Sequence, residues 1–212
     1  MQKYACSPDI GLGPALRKEV PEVAEYWFSR VSEVVVPNVQ RLLRFFRSNE
    51  LRVIYTCVGP LLPDASDMFP RRRIRDQSRL KIAGIDHFFH PGTLEHEVID
   101  ELKPEENEII FNKNSGSPFN STNIDQILRN MGIGSLVITG VATNSCVEIT
   151  ARDAADRGYN CILVEDACAD KSRDAHEMTM ITFARVYGKV MTTQEVIEYL
   201  ASKLHDSLSQ KT

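Results

Sequence analysis

The chain has 212 residues, a net charge of −4 at pH 7 and 42% hydrophobic residues, which suits a single domain spanning residues 1–212 with a substantial core. That balance excludes disorder and a nucleic-acid footprint. No apolar run approaches the roughly 20 residues needed to cross a bilayer, and the N-terminus lacks a charged segment followed by an apolar one, so no membrane partner and a cytoplasmic location are expected.

Pro37 opens a predicted helix whose apolar positions Val39, Leu42, Leu43 and Phe46 recur at three- and four-residue steps. A strand follows from Arg52 to Cys57. Residues 60–92 are rich in Pro, Arg and Asp without clear periodicity and read as a long surface excursion, a kind of segment that often carries function. Within it Arg71, Arg72, Arg73 and Arg75 form the densest basic cluster, read as a solvated or inter-subunit loop, with carboxylate capture near a site as the alternative. Leu94 to Leu102 reads as a short helix and Glu108 to Phe111 as a strand ended by Asn112. The next helix has Asn120 or Ser121 at its cap, buries Ile124, Ile127, Leu128 and Met131, and stops at Gly132.

Leu136 to Thr139 is a strand that runs through Gly140-Val141-Ala142-Thr143-Asn144-Ser145 into Cys146, where a helix from Ser145 to Arg157 begins. Further on come a strand from Cys161 to Glu165, a helix from Ser172 to Tyr187 and a short strand from Lys189 to Met191. The final helix carries Val196, Ile197 and Leu200, and Thr192 and Glu195 have the spacing of a capping box at its start. Val- and Ile-rich strands alternating with helices imply an α/β domain with a parallel sheet covered on both faces.

Sites in such folds gather beyond the carboxyl ends of strands. Lys113 and Cys146 both follow strand ends. A thiol at a strand-to-helix junction meets unpaired amides and the positive end of the helix dipole, which favour thiolate, and a nearby lysine lowers its pKa further. The competing reading of Cys146 is a small buried hydrophobe, and Cys6, Cys57, Cys161 and Cys168 read as ordinary core or loop thiols. Five cysteines without a C-x-x-C spacing suggest neither zinc nor a redox pair. Asp86, His87, His90 and His96 lie close in sequence, but no metal or other cofactor is expected. Asp9 and Asp64 read as turn residues.

Several ordered segments resemble the isochorismatase-like cysteine hydrolase family: Phe111-Asn112-Lys113 with Ser117-Pro118-Phe119, the run from Gly140 to Glu148, Arg152-Asp153-Ala154 with Gly158-Tyr159, Val164 to Cys168, and Val190-Met191-Thr192-Thr193. The resemblance implies a three-layer Rossmann-like sheet in the order 3-2-1-4-5-6 and an Asp-Lys-Cys triad. Lys113 and Cys146 match two members. The aspartate and its central strand are expected just before Met1-Gln2, and Val31 to Val36 is the only nearby apolar candidate for the strand's place. The resemblance also implies a cis peptide between Val141 and Ala142, an oxyanion hole from the amides of Ala142 and Cys146, and Phe119 near the pocket. Phe119 is otherwise a core residue and Asn144 a helix cap or substrate ligand, while Tyr4 and Trp27 are pocket walls or packing residues.

The implied activity is cysteine-dependent hydrolysis of a small amide, ureide or carbamoyl compound through a thioester, with release of ammonia. Alternatives are vinyl-ether hydrolysis of isochorismate and a catalytically silent, small-molecule-binding member. A homo-dimer or homo-tetramer is implied as well.

Overall fold

The computed structural model describes residues 1–209, with side chains through Asp206. Five parallel strands carry the fold: β1 (Ile54–Val58), β2 (Ile109–Lys113), β3 (Ser135–Val141), β4 (Asn160–Ala169) and β5 (Lys189–Met191). Successive residues of β4 point to opposite faces. Ile162 and Val164 enter one core with Val31, Val35, Val39, Leu42 and Val196, whereas Cys161 and Leu163 enter another with Leu128, Ala151, Ala154, Met180 and Phe183. Both faces are thus buried under helices, which explains why the strand reads as an almost unbroken apolar run.

The first core is built on α3 (Pro21–Arg30), α4 (Val36–Ser48) and α9 (Thr193–Ser209), and the second on α6 (Ile124–Asn130), α7 (Glu148–Asp156) and α8 (Arg173–Val186). Two short helices, α1 (Lys3–Cys6) and α2 (Gly13–Glu19), precede them, and α5 (Pro70–Ala83) follows β1. The capping box at α9 forms as expected: Thr192 N donates to Glu195 Oε2 at 2.7 Å and Glu195 N to Thr192 Oγ1 at 3.3 Å.

Several expectations change. Pro37 lies in the first turn of α4, but that helix does not start afresh there: a π-turn at Val31–Val35 joins α3 to α4 just ahead of the residue that lacks a backbone donor. Val31 to Val36 is therefore helical and supplies no strand. Residues 60–92 contain α5, a polar helix in which Leu80 is the only buried residue, so the arginine cluster is helical rather than a loop. Leu94 to Leu102 forms two separate 3-10 turns, and α6 begins at Ile124, whose amide donates to Thr122 Oγ1 rather than to Asn120 or Ser121.

The strands form two sheets, β2-β1 and β3-β4-β5. Among the described residues no strand joins β1 to β3. Their edges border a cavity of about 160 Å³ lined by Met1, Ile54, Thr56, Val137, Thr139 and Gly140. The buried Gln2 side chain closes the end of β1: its Nε2 donates to the Val58 carbonyl at 3.1 Å and its Oε1 accepts from the Val58 amide at 2.7 Å.

Candidate active site

β2 delivers Lys113 and β3 delivers Cys146. The β3–β4 register shifts after Ile138, so Gly140 pairs with Cys168 and Val141 with Ala169. Gly140 has a φ of 113°, a conformation that side chains resist, which makes glycine the fitting residue at this irregularity. The Val141–Ala142 peptide is cis. A π-turn at Thr143–Val147 follows, and regular α-helix starts at Glu148, later than the sequence suggests because Ser145 departs from helical dihedrals. Asn144 N donates to Asp170 Oδ2 at 2.9 Å, which ties this turn to the end of β4.

Lys113 is 2% exposed, and its Nζ donates to the carbonyls of Ser115 at 3.0 Å and Gly116 at 2.7 Å. Burial lowers its pKa, and the neighbouring Cys146 charge offsets only part of that effect. Arg72 of α5 also reaches the site. Its guanidinium donates to Asp76 Oδ2 at 3.2 Å and to Tyr4 Oη at 3.4 Å. Burial opposes a thiolate at Cys146, yet the Lys113 and Arg72 cations outweigh it and hold the thiol below its ordinary pKa. Burial pushes the other four cysteines up, Cys6 and Cys161 to about 11 and Cys168 to about 12. Cys146 is thus set apart by its charge environment, not by its residue type.

A cavity of about 310 Å³ opens over this sulfur. Of the residues singled out in the sequence, Tyr4, Trp27, Lys113, Val141, Ala142, Asn144 and Cys146 line it. Phe119 does not line it. It is buried in the second core against the Tyr159 ring, centroids 5.9 Å apart, under the Arg157 guanidinium. Asp9 pairs with Arg17 and Asp64 accepts from the Ser66 amide, both away from the cavity.

Sequence reasoning missed Arg72 as an individual, along with Asp76, Asp170 and Lys171, which also line the cavity. Asp76 accepts from Arg72 and Arg75, and Asp170 accepts from the amides of Asn144, Lys171 and Ser172. Both pocket carboxylates are therefore already held by donors. His87 faces Asp86 and Glu95, while His96 Nε2 lies 2.8 Å from Asn112 Oδ1. Among the described residues no three His, Cys, Asp or Glu side chains gather as a metal site.

The family model described as the isochorismatase domain matches residues 22–195. The chain is 36% identical over 171 residues to the ureidoacrylate amidohydrolase RutB of Agrobacterium fabrum, an alignment covering 76% of this chain and 73% of the relative. Among solved structures, a cysteine hydrolase from Pseudomonas syringae pv. phaseolicola superposes with a TM-score of 0.74 at 28% identity, over 95% of this chain and 89% of that one. N-carbamoylsarcosine amidase from Thermoplasma acidophilum gives 0.59 at 30% identity, over 76% and 84%. Two strand ends that converge on a lysine and a thiol, and a match over most of the length, lead to one conclusion: this chain belongs to the isochorismatase family.

Proposed function

We propose that the chain is an amidohydrolase that cleaves a C–N bond of a small amide or ureide with Cys146 as nucleophile. The observation that carries this reading is the thiol of Cys146, held below its ordinary pKa by two cations at the floor of a concave pocket while the other cysteines are pushed up. The amidohydrolases among its relatives support the same reading.

The thiolate attacks the carbonyl carbon, and the amides of Ala142 and Cys146, beside the cis peptide, are the assigned donors to the developing oxyanion. Donors so placed contribute roughly 3 kcal/mol. Collapse breaks the C–N bond, leaves a thioester on Cys146 and requires a proton on the departing nitrogen. Lys113 is the assigned proton source, because its burial makes the ammonium a stronger acid than an exposed lysine. Water then attacks the thioester. One proton returns to neutral Lys113, a second goes to the released ammonia, and the carboxylate product leaves as the thiolate re-forms.

Ammonia release from ureidoacrylate, N-carbamoylsarcosine, maleamate and biuret is the direct test. Turnover of at least one is expected, Cys146→Ala should lower it by roughly 1,000-fold or more, and rapid quench with intact-mass analysis should find an acyl adduct on the wild-type chain alone. Undiminished ammonia release by the alanine variant would remove the cysteine from the reaction.

A further inference from the structure

The π-turn that carries Cys146, with the start of α7, is tied to neighbouring elements at three points. Asn144 N donates to Asp170 Oδ2 at 2.9 Å, Thr179 Oγ1 of α8 donates to Glu148 Oε2 at 3.3 Å, and Thr143 Oγ1 lies 2.9 Å from Nδ1 of His176, also on α8. Inside the turn, the amides of Ser145 and Val147 share one acceptor, the Ala142 carbonyl, at 3.2 and 3.3 Å. Two long bonds to a single oxygen make a weak internal ladder, so the outer ties carry much of the turn's definition.

The tie to His176 is set apart by what surrounds it. Thr143 is fully buried, and among the described residues the imidazole is the one hydrogen-bond partner of its hydroxyl. A buried hydroxyl proton needs an acceptor. Nδ1 supplies one only while its lone pair is free, as in the neutral ring protonated at Nε2. The environment keeps the ring in that form: burial and Arg30 of α3 hold its pKa below the ordinary 6.5, against the smaller opposing pull of Asp170 at the end of β4 and Glu177 of α8 itself.

We propose that His176 is a positioning residue for the nucleophile: by accepting the Thr143 hydroxyl proton it fixes the first residue of the turn, and with it the placement of the Cys146 sulfur against Lys113 and Arg72. This rests on the reading of Cys146 as nucleophile and names what holds it. His176 does not line the cavity, so it acts through Thr143 rather than on the substrate. The attraction between sulfur and cation falls with distance, so a turn released from α8 leaves the thiol in a weaker field.

The test is alkylation of the full chain by iodoacetamide across pH, followed at the Cys146 peptide by mass spectrometry. In His176→Leu the midpoint should move up toward the ordinary thiol value of 9.0, and Thr143→Val, which keeps the shape of the side chain and removes its proton, should move it equally far. The two together should move it no further than either alone, because each breaks the same bond. His176→Asn, whose carboxamide oxygen offers an acceptor close to the place of Nδ1, should keep the wild-type midpoint. An unmoved midpoint in Thr143→Val, additive shifts in the double variant, or an asparagine variant shifted as far as Thr143→Val would overturn the assignment. The valine and asparagine arms decide it even where the leucine variant does not fold. Alkylation requires no substrate, so failure here is distinct from failure of the amidohydrolase reading, which shows as absent ammonia release.

Discussion

At the scale of single residues, the pocket depends on cations that do different work. Arg72 and Lys113 both favour the Cys146 thiolate, but Lys113 also has a proton to give, whereas a guanidinium does not ionise in the accessible range. Replacing Arg72 with Met should therefore raise the thiol pKa toward its ordinary value. Rates of iodoacetamide alkylation across pH read this directly, and an unmoved midpoint would show that Lys113 alone sets the thiolate. Turnover should rise with pH as Cys146 deprotonates below its ordinary value of 9.0, then fall as Lys113 loses its proton below 10.5. Both limbs move toward neutrality, and Arg72→Met should shift both back upward, because Arg72 lowers the pKa of Lys113 as well as that of Cys146.

At the scale of elements, the clearest sequence signals came from strands and from the junctions where they end. Leu136 to Cys146 combines an apolar run, a glycine that takes a positive φ and a helix start, so its role is local and readable. Helix α5 is the opposite case. Leu80 is its sole buried residue, accompanied by the partly buried Arg72 and Arg79, so no 3.6-residue hydrophobic period exists to be seen. That is why Arg72 reads as loop charge until the chain is folded. Lys171 was equally hidden, since a lysine after a strand and before a helix cap carries no sign of the Trp27 ring packed behind it. Phe119 erred in the other direction: its motif was recognisable, but motif membership does not distinguish a pocket wall from the packing beneath it.

Helix α4 is anchored to the segment before β2 by Arg47, which donates to both carboxylate oxygens of Glu108 at 2.9 Å. Burial would raise the pKa of Glu108, but the Arg47 bonds and the Glu105 amide hold it below the usual carboxylate value. A depressed folded-state pKa gives stability that is present above the unfolded value and lost as pH falls through the folded one. Glu108→Gln should thus destabilise the chain by about 2 kcal/mol at pH 7, the scale of hydrogen bonds to a charged group, and by less in acid. Urea melts at pH 7 and pH 4 would show this as a gap between wild type and variant that narrows at the lower pH.

For the whole molecule, the decisive arrangement is the assembly of one site from separate elements. Lys113 follows β2, Arg72 lies on α5, and Cys146 follows β3. A common apolar core joins the two sides, since Cys57, Val98 and Leu102 pack with Ile162 and Val164. Local opening of any one element needs less free energy than global unfolding and already dismantles the site. Activity should accordingly disappear at a lower urea concentration than helical circular dichroism; coincident midpoints would show that the site opens only with the whole molecule.

The placement of a thiol and its counter-cations on separate elements also changes what turnover reports. Cys146 after β3, Lys113 after β2 and Arg72 on α5 form an electrostatic strain gauge, since their attraction varies with the distance between them. Small displacements that leave every helix and strand intact therefore alter sulfur nucleophilicity.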